Sequence, residues 1–185
     1  VMSLTASVGL MAVFIVDFVD TIFISMLGKS ELAAAVGYAG AILFFTSSFG
    51  IGMAIAAGAL VARALGAGDV EEARRKATNS LIYGVIFGAL FAALVWFNLR
   101  ALAALMGATG DTLALAVHYL AIIIPSLPFL LVGMVGGAIL RAHGDAKRAM
   151  MATVWGGIIN AILDPILIFG LNLDLTGAAI ASVVA

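Results

Sequence analysis

Long apolar runs alternate with short polar breaks along the 185 residues. Breaks fall at Gly28-Lys-Ser-Glu31, at Gly66-Ala-Gly-Asp69, at the charged turn Glu71-Glu-Ala-Arg-Arg-Lys76, and at Gly144-Asp145. About 20 mostly apolar residues suffice for a helix to cross the hydrocarbon core of a bilayer. On that measure the pattern predicts six segments, at about 3–27, 32–65, 72–99, 112–140, 148–170 and 176–185, the last cut short. The second is long enough to tilt or to project beyond the bilayer. The fourth carries Pro125 and Pro128, and the fifth Pro165. Each proline removes an N–H, which makes a hinge or a static kink.

Composition turns this pattern into a class. Hydrophobic residues make up 64% of the chain and charged residues 10%, against about 45–50% and 25% in soluble domains; the mean hydropathy is +1.23. The expected fold is an all-α membrane protein, a transmembrane helix bundle whose surroundings are the lipid bilayer. A net charge of −1 and the lack of a basic patch point away from nucleic acid. The absence of cysteine excludes disulfides and Cys-ligated metals. His118 and His143 are too far apart for a local metal motif. No Gly-x-x-x-x-Gly-Lys-Ser/Thr pattern offers a nucleotide site. The expectation is a protein that is not an enzyme, has no cofactor, and draws energy from an ion gradient. The chain opens on Val1 in an apolar run with no basic leader, and stops in mid-run at Ser182-Val-Val-Ala185. No cleavable signal peptide is visible, and the chain reads as a piece of a longer protein.

Basic residues set the expected orientation. Arg63, Arg74, Arg75, Lys76, Arg141, Lys147 and Arg148 flank the 2–3 and 4–5 loops, whereas Lys29 and Arg100 lie on the other side. The N-terminus and the 2–3 and 4–5 loops are thus expected in the cytoplasm, with segments 1, 3 and 5 running outward.

Candidate chemistry lies in the stretch Asn160-Ala-Ile-Leu-Asp164-Pro165. An ionised Asp at the centre of a spanning helix costs roughly 2.5–3.5 kcal/mol on insertion scales, so it is expected to face a partner, water or an ion. Asn160, four residues earlier, shares its helix face, and Pro165 leaves the carbonyl of Ala161 without its usual donor. Oxygen groups gathered at one depth suit a small hard cation or a shared proton. Asp20 lies eight residues before Gly28, about 12 Å from that helix end, and Asp164 six before Gly170, about 9 Å from its own. On helices of the same direction the two can converge in one cavity in the outer half of the membrane, as a cation or proton site, or stand as separate acids, each hydrogen-bonded for structural reasons. Asp17, one turn before Asp20, is either a second proton carrier or a residue lining a hydrated cleft. Tyr119 lines the cavity or sits as an interfacial aromatic. Thr46, Ser47, Ser48 and Ser182 can satisfy their own helix backbone.

Two internal repeats suggest a duplicated helix-pair plan, common in transporters. Arg63-Ala-Leu-Gly66 recurs as Arg141-Ala-His-Gly144, and Asp20-Thr-Ile-Phe-Ile24 as Asp164-Pro-Ile-Leu-Ile168.

In series, Val19-Asp20-Thr-Ile-Phe-Ile, Leu32-Ala-Ala-Ala-Val-Gly37, Leu65-Gly-Ala-Gly68, Leu140-Arg-Ala-x-Gly-Asp145, Asn160-x-x-x-Asp164-Pro-x-x-Ile-Phe-Gly170 and Gly177-Ala-Ala-Ile-Ala181 resemble the MATE family (multidrug and toxic compound extrusion). The resemblance implies a twelve-helix antiporter of the cell (inner) membrane, built from two six-helix lobes. Residues 1–185 would form most of the N-terminal lobe, and the partner C-terminal lobe is missing from this chain. It implies exchange of Na⁺ or H⁺ for a small-molecule drug or organic cation. The family's N-lobe cation site matches Asp20, Asn160 and Asp164, which would be the metal ligands if the coupling ion is Na⁺. The family's segment-6 threonine falls at Ser182, and Tyr119 matches a segment-4 tyrosine of the N-lobe cavity. Asp17 belongs to no family motif. Three alternatives stand beside this reading. A lipid-linked oligosaccharide flippase of the same superfamily would want in-span Lys or Arg, which the chain lacks. An intramembrane aspartyl protease would want Gly-x-Gly-Asp in a span. The third is a non-transporting half lobe.

Overall fold

The computed structural model describes residues 2–26, 28 and 30–185; in the first helix it describes the side chains of Ser7, Val8, Met11, Phe14, Ile15, Phe18, Val19 and residues 21–26. The described residues form eight α-helices, with no strand among them: α1 (Met2–Met26), α2 (Ser30–Gly66), α3 (Val70–Phe97), α4 (Leu99–Leu105), α5 (Gly110–Ile123), α6 (Leu127–Ala142), α7 (Ala146–Pro165) and α8 (Asp174–Val184). A 3₁₀ turn (Ile124–Ser126) joins α5 to α6, and a π-helical turn (Ile166–Gly170) extends α7. Four helical stretches among the described residues are long and apolar enough to cross a membrane: Ser30–Gly66, Val70–Phe97, Gly110–Ala142 and Ala146–Gly170. At 1.5 Å per residue, the 37 residues of α2 reach about 55 Å, well beyond a hydrocarbon core of about 30 Å.

The helix breaks follow local chemistry. Gly68 (φ +77°) ends α2 in the left-handed region; its N–H donates to Leu65 O (3.0 Å), and Asp69 N–H donates to Ala64 O (3.1 Å). The Asp69 carboxylate then accepts from Glu72 N–H (2.8 Å) and caps α3. The same device joins α6 to α7. Gly144 (φ +83°) donates to Arg141 O, Asp145 to Leu140 O, and the Asp145 carboxylate accepts from Arg148 N–H at 3.2 Å. The repeat therefore pairs Gly68-Asp69 with Gly144-Asp145, a register two residues away from the expected pairing of Gly66 with Gly144. Gly66 is the last helical residue of α2, and the turn itself needs the next glycine.

The Pro125 break is also accounted for locally. Ala121 O, which loses its donor to Pro125, instead accepts the Trp96 indole N–H from α3 (3.3 Å). Ile124 O, freed by Pro128, accepts from Leu127 N–H, and Ile123 O from the Ser126 hydroxyl at 2.7 Å.

Helix α2 packs against α6, α3 and α5, and α1 lies along α7. Leu131 of α6 is wedged between two glycines, and a Cβ on Gly50 or Gly88 would come within 2.6 Å of its methyl groups. The main apolar cluster gathers Ile24, Ile42, Val95, Tyr119, Ile168 and Ala178, from α1, α2, α3, α5, the π turn and α8. A smaller one, Val61, Ala64 and Ala73, closes the α2–α3 end. Large apolar side chains such as Phe44, Phe45, Phe97 and Phe129 are exposed, as a lipid-immersed bundle allows.

Candidate functional site

Helix α7 carries two of the buried polar side chains among the described residues, Asn160 (4% exposed) and Asp164 (0%). They stand one turn apart, immediately before the helix loses α geometry. Pro165 cannot donate, and the chain continues as a π turn in which Leu171 N–H reaches Ile166 O (3.0 Å). Leu173 N–H then donates to Leu167 O (3.2 Å), and Asn172 (φ +52°) and Asp174 (φ +46°) adopt left-handed conformations to turn the chain into α8. Wide turns of this kind recur at functional sites.

Asp164, Tyr119 and Ser182, candidate positions with described side chains, border one neighbourhood, which α1 enters through Ile24. Ile168, one turn after Asp164, and Ile24, one turn after Asp20, are each 1% exposed and belong to the same cluster. Tyr119 of α5 is a member of it (6% exposed), and so is Ala178 of α8, whose carbonyl accepts the Ser182 hydroxyl at 3.0 Å. Tyr119, Asn160 and Asp164 each engage another group. Asp17 and Asp20 lie on the α1 backbone, but their side chains are outside the described residues. Helix α1 runs beside α7, and Phe23, three residues after Asp20, meets Phe169 edge-on at 5.9 Å between ring centroids. The second repeat thus has a structural counterpart: eight residues after each aspartate stands a left-handed residue, Gly28 (φ +68°) or Asn172.

Thr46 is buried and donates to Ile42 O at 2.6 Å, the self-satisfied arrangement expected of it.

Sequence reasoning passed over a cleft of about 580 Å³ at the same end of the bundle. Ser30, Glu31, His118, Asn172, Asp174 and Thr176 contribute its polar wall. His118 Nε2 and Thr176 Oγ1, 3.0 Å apart, tie α5 to α8 there. The available signal was the position of His118 next to Tyr119; its partner, 58 residues away, could not be read from spacing.

Apolar helices long enough to span a bilayer, enclosing a buried Asn–Asp pair where one helix breaks, define a multi-pass membrane protein with a polar site inside the bundle. The chain belongs to the MatE family, whose profile matches residues 6–166. It is 34% identical to the FAD transporter of Shewanella oneidensis over 185 residues, covering 98% of this chain and 41% of that protein. It is 28% identical to the multidrug export protein MepA of Staphylococcus aureus over 183 residues, covering 99% of this chain and 41% of that protein. Among solved structures, a MOP superfamily transporter from Pyrococcus furiosus superposes with a TM-score of 0.94 at 32% identity, over 99% of this chain and 40% of that chain. The chain spans about two-fifths of the length of these relatives.

Proposed function

We propose that residues 1–185 form the N-terminal lobe, six spans, of a twelve-helix antiporter in the cell membrane. In this reading the lobe binds Na⁺ or H⁺ at Asp20, Asn160 and Asp164, with the Ser182 hydroxyl as a further oxygen donor. Tyr119 and Asp17 line the adjoining cavity. The carrying observation is the fully buried Asp164, one turn from buried Asn160 and at the mouth of the π turn. Burying an ionised carboxylate is unfavourable. A bound cation or proton neutralises it, so the ion selects the lobe conformation in which the pair is closed in. The same carboxylate holds a cationic cargo while ionised and releases it once protonated or paired with Na⁺. One site then couples two ligands, and rocking of the two lobes moves each in its own direction. By charge asymmetry, the α2–α3 and α6–α7 turns face the cytoplasm.

The cargo we favour is a drug or organic cation, because the sequence places carboxylates inside its spans and its Lys and Arg only near their ends. A second reading, export of an anionic flavin dinucleotide, is favoured by the 34% identity to the FAD transporter. That cargo needs positive charge from the other lobe. The test is exchange by the full-length protein in proteoliposomes, with an ethidium-like cation or FAD as cargo and a Na⁺ or pH gradient as drive. Asp164→Asn is expected to lower exchange at least about tenfold, the loss of some 1.4 kcal/mol of coupling. Undiminished exchange by Asp164→Asn would reject the site, and transport of FAD alone would reject the cationic cargo.

A further inference from the structure

Helix α8 packs on the π turn, and at Gly177 the two backbones meet. A Cβ built on Gly177 would lie 2.7 Å from the carbonyl carbon of Leu167, 2.8 Å from its oxygen and 2.9 Å from Ile168 N. All three are main-chain atoms, so no side-chain rotation relieves the overlap. Among the described glycines no other would bring a Cβ within 3.0 Å of more than one main-chain atom. Gly50 and Gly88 meet the tip of Leu131, a flexible side chain, with Pro128 Cα 3.3 Å from the second; Gly156 meets Ala185 O at 3.0 Å, and Gly58 meets Ala138 at an ordinary 3.5 Å. Gly177 has an ordinary helical φ, so the position needs its lack of volume rather than its conformational freedom.

The contact falls on the segment that carries the ion site. Leu167 is three residues after Asp164, and its carbonyl also accepts the Leu173 N–H at 3.2 Å. Gly177 N–H in turn donates to Leu173 O, 3.2 Å. The first turn of α8 is thus pressed onto, and hydrogen-bonded into, the π turn beginning right after Pro165. Ala178, the next residue, provides the carbonyl that holds the Ser182 hydroxyl.

We propose that Gly177 is a positioning residue for the ion site: by admitting the Leu167 backbone against α8, it fixes the π turn and so the placement of Asp164 relative to Ser182. The inference rests on the proposed ion-coupled function and adds a determinant of its geometry. A methyl group at 177 pushes α8 away from α7, separating the two helices that contribute oxygen ligands. Overpacking against backbone is relieved only by such shifts.

The experiment compares full-length Gly177→Ala, Gly58→Ala and Asp164→Asn in proteoliposomes, with exchange measured in a Na⁺ titration at fixed pH and in a pH titration without Na⁺. Gly177→Ala is expected to raise the half-saturating ion concentration by about tenfold or more while keeping most of the maximal rate, because its effect is on ligand placement. Gly58→Ala, whose new methyl makes an ordinary contact, is expected to stay within about twofold of the unaltered protein. Folded Gly177→Ala with unchanged half-saturation overturns the proposal, even when Asp164→Asn abolishes coupling. Undiminished exchange by Asp164→Asn instead overturns the ion site itself. Should Gly177→Ala not be recovered folded, hydrogen exchange on the unaltered protein decides. The coupling ion is expected to slow exchange of the 166–177 amides, and equal exchange with and without Na⁺ and across the pH range, after correction for intrinsic rates, overturns the proposal.

Discussion

Asp164 is the one ionisable carboxyl buried among the described side chains, at 0% exposure. Asn160 supplies a neutral amide one turn away, able to accept from a protonated carboxyl or to add an oxygen to a cation. Asn160→Ala is therefore expected to weaken ion binding by about 1–2 kcal/mol, read as a five- to thirtyfold higher half-saturating ion concentration in exchange assays. Ser182 is a milder case, because its proton is held by Ala178 O and only its lone pairs remain for an ion. Ser182→Thr should leave the titration in place, and Ser182→Ala should raise the half-saturating ion concentration by about five- to tenfold. The burial of Asn160 and Asp164 was legible in the sequence, because a polar pair at four-residue spacing inside an apolar run has no inexpensive exposed alternative in lipid. The close seat of Gly177 was not. A glycine in a helix looks the same in sequence whether it faces lipid, as open space beside Gly40 allows, or the backbone of another helix.

Helix breaks were foreseeable where the cause is chemical, and their repair was not. Pro125 and Pro128 mark a disruption in the fourth segment, and the chain does pass through a 3₁₀ turn there. Sequence left open whether this was a hinge or a kink. The Trp96 indole answers the freed carbonyl of Ala121 from a neighbouring helix, 25 residues earlier, a relation no local pattern encodes. The bond pins the kink, so Trp96→Phe should lower unfolding stability of the full-length protein by about 1 kcal/mol, the value of one net hydrogen bond. The matched turns allow a paired test. Asp69 and Asp145 cap α3 and α7 by the same geometry, so Asp69→Ala and Asp145→Ala should each destabilise by about 1 kcal/mol in denaturant unfolding. A large effect of one and none of the other would mean that the shared turn is not a shared source of stability. The ion pairs of Glu72 with Arg75 and Lys76, on an exposed helix end, should contribute little to either result.

At the scale of the molecule, the repeats were visible as sequence echoes, but only backbone geometry fixes their register, through Gly68-Asp69 with Gly144-Asp145 and through the left-handed pair Gly28 and Asn172. The bundle's apolar exterior follows directly from composition. The proposed orientation predicts that cysteines replacing Arg75 and Lys147 are labelled by impermeant maleimide from the cytoplasmic side only, and one replacing Asp111 from the outside only; the reverse pattern would invert the transport direction proposed here. The account depends most on the carboxyl groups of Asp20 and Asp164 sharing one cavity. The measurement that reaches it directly is thiol cross-linking in the membrane-embedded full-length protein, with Asp20→Cys and Asp164→Cys combined and Phe23→Cys with Phe169→Cys as the neighbouring reference pair. The account predicts that a short bifunctional thiol reagent bridges both pairs. Bridging of the reference pair with none between positions 20 and 164 would contradict it.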